Sequence, residues 1–196
     1  MRKISLALAA LLLTPTVTTA APRLRIYTGA SVGHTFLSWN YFELETQGAI
    51  LPISSEDPPA RAHSLALFAG ANFDMFGVEG FLRHSLRSSN DSVRYSATSL
   101  GFDVLFYLKR FSRTEIFGGF RSLATRSIIT AHGVDPLGGT QTWNLRVNGI
   151  GYGMGGGVSY YIGNRMSLRA SLWNMTSEGV RTPSKIEASA SVIYWF

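Results

Sequence analysis

The last twelve residues, Lys185-Ile-Glu-Ala-Ser-Ala-Ser-Val-Ile-Tyr-Trp-Phe196, restrict the fold more than any other stretch of the chain. Taken in twos from the end, Phe196, Tyr194, Val192, Ala190, Ala188 and Ile186 are all apolar or aromatic. The interleaved set, Trp195, Ile193, Ser191, Ser189, Glu187 and Lys185, mixes aromatics with serines and charges. A period of two is that of a β-strand whose faces meet different surroundings. The stretch also reaches the about 9–11 residues that a tilted strand needs to cross a bilayer. It stops on Tyr-Trp-Phe without a polar tail, an ending expected of a membrane strand rather than of a soluble one.

Composition supports a membrane strand over a membrane helix. Charged residues make up 15% of the 196 and aromatics 12%, against about 25% charged in ordinary soluble domains. Mean hydropathy is only +0.10, too low for a helical membrane protein. A barrel with an apolar outside and a polar inside has this profile. Cysteine is absent, so no disulfide contributes, and stability must come from closure and packing.

The amino terminus reads as an export signal. Arg2 and Lys3 are followed by an apolar run from Ile4 to Leu13, broken only by Ser5, and then by the small residues of Thr14–Ala21. The expected cut follows Ala20, giving a signal peptide over 1–20 and one domain over 21–196. The apolar run falls short of the about 20 residues of a spanning helix. Of the 18 basic residues, Arg2 and Lys3 lie in that leader, so 16 remain against 12 acidic, a net of +4. These charges are scattered, which gives no footprint for nucleic acid.

Seven further segments repeat the terminal pattern. They are Leu24–Leu37, Ala62–Phe73, Gly77–Arg87, Val93–Leu108, Glu115–Arg126, Arg146–Tyr161 and Met166–Met175. The clearest is the fourth, with Leu100, Phe102, Val104, Phe106 and Leu108 on one face and Ser99, Gly101, Asp103 and Leu105 on the other. The sixth alternates Ile150, Tyr152, Met154, Gly156, Val158 and Tyr160 with five glycines, at 149, 151, 153, 155 and 157, which make room for bulky neighbours such as Phe68, Phe81, Phe117, Trp173 and Trp195. The connections run to about 24, 3, 5, 5, 19, 4 and 9 residues, the even-numbered ones short. Long turns on one side and short ones on the other fit a barrel crossing a membrane, its termini on the short side.

Alternation alone does not say which face is out, and a β-sandwich or lipocalin-like barrel would bury the apolar one. The second face is rich in Gly and Ser and carries Glu79, Asp103, Glu115, Arg121, Arg169 and Glu187, a poor soluble core. The expected fold is therefore all-β: an eight-stranded antiparallel up-and-down transmembrane β-barrel.

The segments Ile26-Tyr-Thr-Gly-Ala-Ser-Val-Gly33, Phe76-Gly-Val-Glu-Gly-Phe81 and Val192-Ile-Tyr-Trp-Phe196 give the chain a resemblance to the small outer-membrane β-barrel superfamily, the opacity-type, OmpA-like and OmpX-like barrels. That resemblance implies a Gram-negative outer membrane, contact with lipid and lipopolysaccharide, and insertion by the barrel assembly machinery, which would read Val192, Tyr194 and Phe196. It does not imply the peptidoglycan-binding domain of larger members, since the chain ends at the barrel.

The inward charges are the first candidate site. Arg169 and Glu187 fall on neighbouring strands and are expected to meet. Glu79 is expected beside Asp103, with Arg169, Arg121 or Arg83 reaching across a narrow lumen that side chains can fill. A salt-bridged plug is favoured over a narrow ion or solute channel. The extracellular loops supply the second site: Trp39, Tyr41, Phe42 and Trp143 serve either as an aromatic girdle or as contacts to a host or extracellular ligand. Some small barrels modify lipid A through a His and a Ser, and here His84 adjoins Ser85. Neighbours on a regular strand point to opposite faces, so this pair lacks the geometry of a base beside its nucleophile. No catalytic residues, cofactor or metal ligands are expected, and a structural or adhesion-like surface role without catalysis is.

Overall fold

The computed structural model describes residues 24–39, 44–46, 49–51, 59–89, 93–134, 139–178 and 183–196. The expected signal peptide and its cleavage point lie outside the described residues. Ten strands are present: β1 (Leu24–Ser38), β2 (Leu44–Thr46), β3 (Ala49–Leu51), β4 (Arg61–Phe73), β5 (Phe76–Ser89), β6 (Val93–Phe111), β7 (Thr114–Val134), β8 (Thr140–Tyr161), β9 (Met166–Glu178) and β10 (Ser184–Trp195). Eight close into an antiparallel barrel in the order β1-β10-β9-β8-β7-β6-β5-β4. The other two, β2 and β3, pair with each other within the long β1–β4 connection, which the sequence presents as irregular.

Closure requires the strands to tilt and the register to stagger. Starting at Val32, the paired row Leu65, His84, Thr98, Arg126 reaches β8 at Asn148. In the other direction, Ala190 and Ala170 lead to β8 at Val158, ten residues away. Residues that share a row therefore climb around the barrel.

The strands of one hairpin are longer than their apolar pattern. The expected loop over Ser127–Leu145 is largely a ladder, since β7 runs on to Val134 and β8 begins at Thr140. Pairing continues from Ser127↔Val147 to Val134↔Thr140. Polar partners replace the apolar band there: Thr130 donates to Asn144 at 2.8 Å and His132 meets Thr142 at 3.0 Å. Backbone pairing does not need apolar side chains, so the ladder outlasts the hydrophobic alternation. At the termini end the turns are tight. Asp74 takes a left-handed φ of 64° between β4 and β5, a conformation that Asp tolerates better than most residues.

Side chains sort by parity as the period of two demands. Leu67 (66% exposed), Leu100 (65%), Met154 (64%) and Leu172 (57%) face outward. Tyr27, Leu105, Trp173, Trp195 and Ile193 are buried within. So broad an exposed apolar surface is foreign to a soluble monomer. Phe73 stacks on Phe76 with centroids 5.0 Å apart and Tyr194 meets Phe196 at 5.3 Å, which rings the outer face near the termini with aromatics.

The glycines of β8 make room more locally than the sequence implies. A Cβ on Gly155 would collide with Trp173, and one on Gly157 with Phe117. Phe68 instead lies against Gly29 of β1, and Phe81 against Gly101 of β6. Tyr27 is likewise matched by Gly70 of β4, whereas among the described residues no glycine lies against Trp195.

Candidate functional site

The lumen is filled by three arginines and three carboxylates threaded between aromatic rings. Parity brings Glu79 and Arg83 inward from β5, Asp103 from β6, Arg121 from β7, Arg169 from β9 and Glu187 from β10. Glu79 and Asp103 are direct cross-strand partners, an arrangement that like charges disfavour unless cations intervene. Each takes its own arginine. Arg121 donates through Nε to Asp103 Oδ1 at 2.8 Å and through Nη2 to Oδ2 at 2.7 Å, the two-point geometry that suits guanidinium and carboxylate. Its third nitrogen, Nη1, donates to Glu187 Oε1 at 3.2 Å. Arg83 donates to Glu187 Oε2. Arg169 donates to Glu79 Oε2 at 2.6 Å, and the Tyr27 hydroxyl donates to the same oxygen at 3.1 Å.

Two expectations are corrected. Arg169 and Glu187 lie on neighbouring strands but do not meet: Arg169 pairs across with Ser191, while Glu187 sits opposite Trp173. Four residues of register separate them, about 13 Å at the ~3.3 Å rise of a strand. Each reaches across the lumen instead. Glu115 is the second correction, because it stands apart from the central group. It accepts from Arg110 Nε at 3.0 Å and from the Tyr161 hydroxyl at 2.8 Å, near the termini end. Arg83 replaces it as the sixth member, legible in the sequence from its shared parity with Glu79 and Phe81.

Aromatic faces hold the cations. The Arg121 Cζ lies 4.1 Å from the Trp173 ring centroid and 4.7 Å from that of Phe81. The Arg169 Cζ lies 5.2 Å from Phe117 and 5.6 Å from both Tyr27 and Phe68. Such contacts are worth about 2 kcal/mol when desolvated. The cavity left among these groups is about 10 Å³, the room of a single water.

Toward the opposite end the filling changes character. Leu37, Ala62, Val93, Tyr95, Ala97, Ile129 and Ala131 form a second buried apolar cluster. Trp39 packs over it, edge-on to Tyr95 at 5.5 Å, and donates from Nε1 to the Pro59 carbonyl at 3.1 Å. Trp39 is thus folded over the mouth, neither in a girdle nor in an extended loop. Trp143 is not in a loop either: it lies within β8, opposite Ala131. Tyr41 and Phe42 lie outside the described residues.

His84 faces outward and meets Thr98 at 3.0 Å, while Ser85 is buried on the inner face. The two are on opposite faces of β5, as the alternation requires. Among the described residues no group of three or more His, Cys, Asp or Glu could hold a metal ion.

No known family pattern and no curated protein matches the sequence. Solved structures do match the fold. Neisserial surface protein A is similar over 87% of this chain and 97% of its own, with 18% identity and a TM-score of 0.63. Ail, the attachment invasion locus protein of Yersinia pestis, is similar over 90% of this chain and all of its own, at 12% identity and a TM-score of 0.51. The N-terminal β-barrel domain of Pseudomonas aeruginosa OprF covers 89% of this chain, at 11% identity and a TM-score of 0.50. The inside-out polarity, the closed eight-strand order and these likenesses together give the chain the fold of the small eight-stranded outer-membrane β-barrels.

Proposed function

We propose that this chain is a bacterial outer-membrane protein with a structural or surface-interaction role exercised at its extracellular end, without catalysis. The observation that carries the reading is the filled lumen. Among the described residues, three buried ion-paired arginines and a cavity of about 10 Å³ occupy the middle of the barrel, which supports a plug over a solute path. A narrow channel is the alternative, and the packing argues against it. What is left to act is the outside: the β7–β8 ladder beyond the apolar band, and the 40–58 segment with Tyr41 and Phe42. In this orientation the termini and tight turns lie in the periplasm. Lipid and lipopolysaccharide surround the band, and the barrel assembly machinery reads Val192, Tyr194 and Phe196. One protein of like fold is an attachment invasion protein, which agrees with an adhesion-like role toward a host or extracellular ligand.

The test is adhesion of cells expressing the whole chain, with and without residues 40–58. Since β1 and β4 pair directly from Phe36↔Arg61 onward, the deletion should leave heat-modifiable gel migration intact while adhesion falls. Unchanged adhesion would overturn the surface role. In planar bilayers the intact protein should show no discrete conductance steps, and steps abolished by Glu187→Gln would restore the channel.

A further inference from the structure

Two histidines meet on the outer face, with an arginine two residues away on the same face, where a barrel in a membrane would present hydrocarbon. His34 of β1 and His63 of β4 are cross-strand partners. Their Nδ1 atoms lie 3.4 Å apart and their ring centroids 4.8 Å apart. Arg61, two residues before His63 on the same face, reaches over Phe36 at 5.8 Å, and Phe36 in turn packs edge-on to His34 at 4.8 Å. Among the described residues, no carboxylate faces outward from β1, β4 or β10.

Directly toward the membrane centre from this cluster the outer surface is concave. A shallow depression includes His34 and His63 in its rim and continues along Ala188, Ala190 and Ala170 to Val158. A second depression of about 950 Å³ shares Val32, Ala190, Ala170 and Val158 and carries the groove on between Leu67 and Val192. The small side chains hollow the face that larger ones raise elsewhere on the barrel.

We propose that this is the seat of one phosphate-bearing membrane lipid, its phosphate on Arg61, His63 and His34 and an acyl chain in the alanine groove. This rests on the membrane-barrel reading above. Charge complementarity chooses the occupant. Basic side chains at the edge of an apolar band attract anionic lipid heads, and an anion between two imidazoles and a guanidinium accepts hydrogen bonds from all three. A second copy of the chain docked through this face would set one Arg61 guanidinium against another.

The test titrates the full-length protein, refolded in neutral detergent, with phosphatidic acid, phosphatidylcholine or inorganic phosphate, and counts bound lipid by native mass spectrometry. One phosphatidic acid should be retained with about tenfold preference over phosphatidylcholine. Combined His34→Gln, His63→Gln and Arg61→Gln should remove the preference, and Arg126→Gln, outward on β7, should not. Ala190→Phe, which fills the groove, should weaken retention of both lipids. All these positions are on the outer surface, so heat-modifiable migration reports whether each variant folds. Retained preference in the triple variant, or equal competition by inorganic phosphate, overturns the seat. A wild-type protein that folds and inserts yet shows no preference overturns the seat alone. Failure to insert overturns the membrane reading and the seat with it.

Discussion

Arg121 joins the two halves of the charge network, since it holds Asp103 at two points and Glu187 at a third. Removing one partner of a buried ion pair costs about 3–5 kcal/mol, because the other charge is left uncompensated. Arg121→Gln should therefore lower the free energy of unfolding from bilayers, measured by urea titration, by that order. A double-mutant cycle on Arg169→Gln and Glu79→Gln should give a coupling of about 1–3 kcal/mol, the range for residues in one network. The same cycle on Arg169 and Glu187 should give close to none, because about 13 Å of strand lies between their rows. Parity placed all of these side chains in the lumen from the sequence. Which of them touch was not legible, because that depends on groups arriving from opposite walls.

At the scale of the element, β8 is unusual in devoting its inner face to glycine. Gly155 and Gly157 allow Trp173 and Phe117 to approach the backbone closely, and these rings in turn cover Arg121 and Arg169. Gly155→Ala should cost about 1–3 kcal/mol, the usual penalty for overpacking. Trp173→Leu in the same chain should not restore the loss in the same unfolding measurement, because the Leu172 carbonyl oxygen remains the atom nearest the added methyl. The upper parts of β7 and β8 show the limit of reading elements by hydrophobic pattern. Thr130, His132, Thr142 and Asn144 continue the ladder with polar side chains, so the apolar alternation stops where the strand does not.

For the molecule as a whole, what fills the barrel bears on what it does. Among the described residues, the ionic centre and the apolar cluster under Trp39 fill the barrel interior, which agrees with the surface role proposed above. Assembly should depend on the outward terminal residues. Phe196→Ala should reduce the heat-modifiable fraction recovered from membranes, while the inward Ser191→Ala should leave it unchanged.

The sequence by itself determined the strands, their faces and the inversion of polarity, because side-chain alternation is a local property with a period of two. The short turns were equally local: Asp74-Met75 and Ile162–Arg165 sit where the alternation breaks. Closure, stagger and contacts across the lumen were decided only by the tertiary structure. A stagger of ten residues around eight strands sets which rows share a height, and no single strand encodes it. The terminal strand carries both kinds of information. Its outward Phe196, Tyr194 and Val192 follow from parity alone. Its Glu187 finds Arg83 and Arg121 across the lumen, and not Arg169 next door, because closing and staggering the sheet brings distant strands together while separating those two along neighbouring ones.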